Sequence, residues 1–361
     1  MIDVQEQVPL APLTTLGVGG AARFFVEARS VEDVQETLAV ARERRIPLYV
    51  LGGGSNVVIA DEGIDGLVLK VAIGGVTSTP HTGRVELTAS AGVEWDALVA
   101  HSIAEGLSGF ECLSGIPGTV GGAVVANIGA YSAQVSDTVV AVRALDRAAP
   151  EVLRTFTSQD CNFTYHNSVF AAQAARYIVI DATFSLERRP MSAINYQDYR
   201  FARANDSVVP RTLAEVREAV RAMRKAKGNL LGAGTHSYQS AGSFFHMPYV
   251  SSDEYEHIRA VATKLDAEKE ARLAPWAWLQ ADGRYRIAPG FLLEFTEFQK
   301  GYVRGRAGIS PKHTLAVINL GGATAAEIVA LARDMHAAVK KRFGISLERE
   351  VVYLGVFEAN T

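Results

Sequence analysis

The stretch SGIPGTVGGAVVANIGAY, from Ser114 to Tyr131, decides how the rest of the chain is read. It is dense in glycine, carries one proline, and over its first part holds only small or β-branched residues. Glycine reaches positive φ and lets a ligand approach the backbone with no Cβ in the way, so such a run offers bare N–H groups to an anion. The stretch reads as a pyrophosphate cradle. A second glycine cluster, LGGGSNVVI from Leu51 to Ile59, follows PLYVL, an apolar run that reads as a buried strand. Two cradles suit a dinucleotide, although tight turns share the same composition.

Neither cluster fits the common nucleotide fingerprints. No G-x-x-x-x-G-K-[ST] occurs, which excludes a P-loop. GVGGAA, with Gly17, Gly19 and Ala22, formally matches G-x-G-x-x-A, but the strand-like RFFVEA follows it where a Rossmann helix should begin. That match is rejected.

At 361 residues the chain is long enough for two or three domains. Hydrophobic residues make up 48% and charged residues 21%, as in a soluble globular protein. A net charge of −3 gives no global attraction to nucleic acid or to an anionic membrane, so an anionic ligand must be gripped locally. The two cysteines, Cys112 and Cys161, have neither metal-type nor disulfide-scaffold spacing. The N-terminal MIDVQEQVPL lacks the basic start and apolar middle of a signal peptide, and no apolar run is long enough for a bilayer. The expectation is a cytoplasmic monomer with no nucleic-acid partner, no membrane insertion and no bound metal.

Three capping boxes mark helix starts: Ser30 with Asp33, Thr212 with Glu215, and Thr324 with Glu327. Behind them, apolar residues at helical spacing (Val31, Val34, Leu38 and Ala41; Leu213, Val216, Val220 and Met223; Ile328, Leu331, Ala332, Met335 and Val339) give each helix a buried stripe. Strands are expected at RFFVEA, Pro47–Leu51, Leu67–Ala72, RVELTASAG, VVAVRALDR, YIVIDATFSLE and the terminal EVVYLGVFE. RRPMSAINYQDYRFARANDSVVP, residues 188 to 210, has no clean period and reads as a linker or loop. The basic cluster Arg221, Arg224, Lys225 and Lys227 fits a solvated last helical turn as well as a phosphate site. Trp276 and Trp278 read as core or lid packing, because no basic stripe interleaves them.

Candidate chemistry is sparse. No histidine pair has zinc-site spacing and no G-x-S-x-G elbow is present. There remain Ser243 at the glycine-rich turn SAGSFF and Glu350 in SLEREVVYLG, each of which also suits a structural role.

Taken together, LGGGSNVVI, SGIPGTVGGAVVANIGAY, Tyr165-x-x-Ser-Val-Phe, AGSFF and FGISLEREV occur in the order and approximate spacing of the UDP-N-acetylenolpyruvoylglucosamine reductase (MurB) family, and the chain resembles that family over nearly its whole length. Tyr196 in the linker makes it similar to the subtype with a Tyr loop over the substrate. The resemblance implies an α+β fold: a two-subdomain FAD-binding module of the vanillyl-alcohol-oxidase (PCMH) type, residues 1–72 and 73–188, and a C-terminal α+β substrate-binding domain, residues 189–361, whose linker and Tyr loop span 189–210. It implies FAD as cofactor, NADPH as reductant and a UDP-sugar as substrate. Hydride from the reduced flavin would reach the alkene carbon distal to the substrate carboxylate, leaving an enolate to be stabilised and protonated.

On this resemblance the cofactor would be held by Gly52, Gly53, Gly54, Ser55 and Asn56, by Gly115, Ile116, Pro117, Gly118, Thr119, Gly121 and Gly122, and by Asn127, Gly129, Ala130 and Tyr131. Ser243 matches the proton donor and Glu350 the carboxyl group that assists at the enol. Tyr196 and Lys227 match residues that hold the nucleotide. Three positions depart from the family. His166 stands where the family has an arginine that stabilises the enolate, and an imidazole partly protonated near neutrality would perform that task in a pH-dependent way. His246 and Met247 replace Lys-Asn on the substrate side, and Met247 cannot hydrogen-bond as an amide does. Two further readings therefore stand beside the reductase: a related flavoprotein of altered substrate range, and an FAD-binding paralogue without turnover.

Overall fold

The structure, a computed structural model, describes residues 2–188, 210, 212–230, 238–273 and 276–357. Tyr196 and the loop around it lie outside the described residues.

The N-terminal part holds two sheets. The first uses β1 (Gln5–Pro9), β2 (Ala21–Ala28), β3 (Leu48–Leu51) and β5 (Ile64–Val71) in the order β1-β2-β5-β3, while β4 (Val57–Ile59) lies apart from it. β2, β5 and β3 run parallel, with the Ser30-capped helix Val31–Glu43 as the crossover between β2 and β3. The second sheet uses β6 (Val76–His81) and β7 (Arg84–Ser90), then, beyond the small hairpin β8 (Gly129–Ala130) and β9 (Ala133–Gln134), β10 (Val139–Asp146), β11 (Ala149–Thr157) and β12 (Tyr177–Glu187). Its order is β11-β10-β12-β7-β6, antiparallel throughout. β12 is central and almost wholly buried, as its β-branched and aromatic run demands.

The two sheets share one core. Val26, Leu67 and Leu69 of the first join Leu87, Ala89, Ala182 and Phe184 of the second, with Trp95, Phe110 and Phe184 packed edge to face at centroid distances of 5.1, 6.0 and 5.0 Å. Sequence periodicity missed β6 and β11. Both are the edges of their sheet, mostly exposed, and carry Pro80 and Pro150; a strand that buries little needs no apolar alternation. The glycine stretch, read from sequence as a cradle, also contains a short helix, Val120–Val125.

The C-terminal part has its own core, built on the helix Ala325–Phe343. It is tied back to the N-terminal part at several points. Leu16, Val18 and Val58 belong to its core. Asp61 caps its long helix, accepting from the N–H groups of Ala325 at 2.7 Å and Ala326 at 2.9 Å, in addition to Thr324. The terminal strand Val352–Leu354 pairs in parallel with β4, Val352 opposite Val57 and Leu354 opposite Ile59.

The helix Leu213–Ala226 docks on the second sheet's module through charge. Arg217 grips both oxygens of Asp96, at 2.6 and 2.9 Å, Arg221 adds a bond at 2.7 Å, and the Gly115 N–H donates to the same carboxylate at 2.6 Å. Val216 and Val220 complete the contact against Tyr131. Burial opposes ionisation of Asp96, but Arg217, the Gly115 N–H and Arg221 outweigh it and hold the carboxyl below the ordinary aspartate range. A depressed carboxyl contributes stability above its unfolded value, near 3.8, and loses it as pH falls through the folded value. Asp96→Ala should therefore lower the unfolding free energy at pH 7 by about 3 kcal/mol in urea titrations, since it strands two guanidinium groups. A loss below about 0.5 kcal/mol would rank this cluster with ordinary exposed pairs.

Candidate active site

One cleft of about 1750 Å³ runs between the glycine turns and the C-terminal part. A pocket for one drug-sized ligand is about 300–1,000 Å³, so this space can hold a dinucleotide together with a second molecule.

Its floor is the pair of glycine turns, and they touch. A Cβ on Gly53 would lie 2.6 Å from the Cα of Gly118, and Gly118 itself has φ +114°. Two side-chain-free turns can stack backbone on backbone, and no other residue permits this approach. Ser55 fixes the contact by donating to the Pro117 carbonyl at 3.2 Å. Gly52, Gly53, Gly54, Ser55 and Asn56 line the cleft, as do Ile116, Pro117, Gly118, Thr119, Gly121 and Gly122. Asn127, Gly129, Ala130 and Tyr131 continue the wall. Gly115 does not line it: its N–H is committed to Asp96, and a Cβ there would meet Leu230 at 2.8 Å. That glycine serves the docking of the Leu213–Ala226 helix.

The residues present fit a flavin dinucleotide. The Thr119 hydroxyl oxygen is buried without a hydrogen-bond partner among the described residues, beside bare backbone in the cleft wall. A bound polar group would satisfy it.

At the other end, two segments bring titratable groups together. Tyr165 and His166 form the tip of a tight turn closed by reciprocal Thr164 and Asn167 backbone bonds, with His166 at φ +49°. Asn127 holds this turn, its amide donating to the Thr164 carbonyl at 2.9 Å, and Ser168 ties it to the Val125 carbonyl at 2.7 Å. Facing it, the Ser243 and Glu350 segments run side by side: the Glu350 N–H donates to Phe244 and the His246 N–H to Glu348. Asn56 of the first glycine turn donates to the Glu350 carbonyl at 3.2 Å. Ser243, Glu350 and His166 all line the cleft.

The Glu350 carboxyl lies between two imidazoles, 3.7 Å from Nδ1 of His166 and 3.8 Å from Nδ1 of His246. Both separations exceed a hydrogen bond. Burial pushes Glu350 up to about 7. Burial, with His246 and Arg286 nearby, pulls His166 down to about 4. Burial also lowers His246, against the pull of Glu348. The expectation that His166 is partly protonated near neutrality is corrected by its burial: at pH 7 it is an uncharged imidazole. His246 is set one step behind the cleft wall, its Nδ1 buried without a hydrogen bond among the described residues, while Met247 lines the space.

Of the basic cluster in the Leu213–Ala226 helix, Arg221 is used on Asp96, and Arg224 donates to the carbonyls of Gly115 at 2.9 Å and Asn229 at 3.1 Å. Lys227 lines the cleft, its ammonium 6.0 Å from the Tyr131 ring centroid. Burial and Lys300 pull it down to about 8. Beside it, half-buried His313 is pulled to about 4 by desolvation and the surrounding cations; its Nδ1 accepts from the Leu315 N–H at 3.2 Å, which leaves the proton on Nε2.

Sequence reading left Trp276 and Trp278 between core and lid, and it missed Arg286. Trp276 and Trp278 line the cleft, in T-shaped contact at 6.1 Å, and so does Arg286 between them and Tyr165. Only the alternation of YRI in a strand of three residues, Tyr285–Ile287, marks Arg286, too short a pattern to show which face it takes.

The elevated Glu350 value has a consequence for stability. An acid raised on folding contributes stability that is intact below its unfolded value of about 4.5 and is lost as pH rises through about 7. Glu350→Gln removes this loss. Urea unfolding of the holoprotein should show the variant gaining on the parent from pH 5 to pH 8, by about 3 kcal/mol at the upper end. A pH-independent difference would mean that the carboxyl ionises as freely as on a surface.

Comparison with known proteins agrees with the geometry. Residues 22–155 match the sequence profile of an FAD binding domain, and residues 235–354 match that of the UDP-N-acetylenolpyruvoylglucosamine reductase C-terminal domain. The UDP-N-acetylenolpyruvoylglucosamine reductase of Thermobifida fusca is 42% identical over 97% of this chain and 98% of its own. That of Mycobacterium tuberculosis is 39% identical over 98% and 95%. Among solved structures, the reductase (MurB) from Thermus caldophilus aligns over 98% of this chain and 100% of its own with a TM-score of 0.65 at 24% identity, a likeness of fold. The α+β architecture with an FAD-binding module and a reductase-type C-terminal domain is thus the one expected, and the chain belongs to the UDP-N-acetylenolpyruvoylglucosamine reductase family.

Proposed function

We propose that the protein uses FAD and NADPH to reduce the enolpyruvyl ether of UDP-N-acetylglucosamine to UDP-N-acetylmuramate, a step in making the peptidoglycan precursor. One observation carries the reading: Ser243 and Glu350 line the same cleft as both glycine turns, so a proton donor and a carboxyl group share a space with a dinucleotide-sized floor. Family membership supports it. In this reading residues 1–72 and 73–188 bind FAD and residues 189–361 bind substrate. The enzyme is a cytoplasmic monomer acting on a small UDP-sugar; no described helix is long and apolar enough to cross a membrane.

The turn Gly52–Asn56 and the run Ile116–Gly122 hold the cofactor, with backbone N–H groups and the Thr119 hydroxyl as donors. FAD held there would supply two-electron chemistry, with NADPH as the source of the hydride and the alkene carbon distal to the substrate carboxylate as its destination. Negative charge then develops on the carbon beside that carboxylate. Ser243 gives its hydroxyl proton to this carbon. Glu350, neutral below about pH 7, donates a hydrogen bond to the carboxylate side instead of repelling it, and it can reprotonate the serine. Lys227 and Tyr196 hold the nucleotide. His166, uncharged at neutrality, acts as a hydrogen-bond partner at the enol rather than as a cation.

An anaerobic titration tests this. NADPH should bleach the yellow holoprotein, and UDP-N-acetylglucosamine enolpyruvate should restore its colour. Recolouring only by oxygen would point to an oxidase, and no bleaching at all to a protein that binds flavin without turnover. Ser243→Ala should bleach at the parent rate and recolour about a hundredfold or more slowly. Loss of both half-reactions in that variant would make the serine structural.

A further inference from the structure

We propose that the guanidinium of Arg286 binds the carboxylate of the substrate's enolpyruvyl group and supplies the fixed positive charge at the Ser243 end of the cleft. The inference rests on the reductase reading above and assigns a residue to it.

The chemistry requires a cation there. The substrate arrives with a carboxylate, and hydride addition spreads further negative charge towards it, yet the groups beside the Glu350 carboxyl are two imidazoles, His166 and His246, on which burial disfavours the charged form. Four arginine and lysine side chains line the cleft among the described residues: Arg147, Arg224, Lys227 and Arg286. Arg224 is spent on the carbonyls of Gly115 and Asn229. Arg147 donates to the Leu48 carbonyl at 3.2 Å, beside the first sheet. Lys227 stands with Tyr131, His313 and Lys300. Arg286 alone adjoins the Tyr165–His166 turn, and its charge acts on both side chains.

Its geometry suits an anion. The guanidinium carbon lies 4.8 Å from the Tyr165 ring centroid and 6.0 Å from that of Trp278, so two aromatic rings hold the cation without using its N–H groups. Its Nε is buried with no hydrogen-bond partner, and it forms no ion pair among the described residues. A buried, unpaired donor of a permanently charged group is costly unless something binds it, and a carboxylate matches the fork with two parallel bonds. The strand Tyr285–Ile287 fixes the stem by pairing on both sides, Arg286 opposite Tyr249 and Trp278.

Arg286→Met keeps the apolar stem under the rings and removes the charge, whereas Arg286→Lys keeps the charge and removes the fork. In anaerobic stopped-flow with holoprotein, Arg286→Met should be bleached by NADPH at the parent rate. It should need roughly ten- to a hundredfold more UDP-N-acetylglucosamine enolpyruvate for half-maximal recolouring. Arg286→Lys should recover part of the loss, and adding His166→Arg to Arg286→Met should recover more. UDP-N-acetylglucosamine, which lacks the carboxylate, should inhibit parent and Arg286→Met equally. If Arg286→Met weakens that inhibitor as much as the substrate, the guanidinium serves the diphosphate and the proposal is overturned. Parent-like recolouring in Arg286→Met overturns it as well. A parent protein that the enolpyruvyl sugar does not recolour would bring down the reductase reading itself, and the assignment with it.

Discussion

The approach of Gly53 to Gly118, close enough that a single β-carbon would strike backbone, is the constraint on which the rest of the structure depends. It joins the end of one parallel strand to the start of a short helix beneath a different, antiparallel sheet. Where they meet, the chain makes a floor of main chain with no side chains standing on it, and two sheets of unlike topology become one module around one core. Sequence expresses this as two glycine clusters far apart in number, and their pairing appears only in three dimensions.

The reactive end is positioned from the same floor. Asn127, inside the glycine stretch, holds the turn that carries Tyr165 and His166, and Asn56, inside the other, holds the Glu350 carbonyl. Each of these two asparagines thus positions a segment whose side chain lines the cleft. Displacing either turn would move the floor and the acid–base groups together. The C-terminal part is bound into this arrangement by Asp61 at the start of its long helix and by the strand pairing with β4, so the cleft between the two parts has fixed walls.

Much of this was legible in the sequence. The three capping boxes form as their spacing implied, because an N-cap hydroxyl and a carboxylate three residues on satisfy two backbone donors through local contacts alone. Strands that bury a face announced themselves by composition, β12 most clearly. What stayed hidden depends on partners distant in sequence. β6 and β11 are edges, stabilised by the neighbouring strand more than by their own apolar pattern. Arg286 is one residue of a three-residue strand, and nothing local shows that it stacks on Tyr165, far earlier in the chain. The same holds for charge: His166 could be found by motif position, but its neutrality follows from desolvation, which a linear reading does not contain. Tyr196 falls outside the described residues.

The parallel pairing of Val352–Leu354 with Val57–Ile59 bears on how the molecule is made. Asn56 meets Glu350 across a sequence separation of 294 residues, so β4 is synthesised long before the strand that pairs with it. Until that partner strand is made, the apolar edge of β4 is open to misassociation. The strand Val352–Leu354 follows directly on Glu350, so the segment that carries the carboxyl group into the cleft is continuous with the one that covers β4.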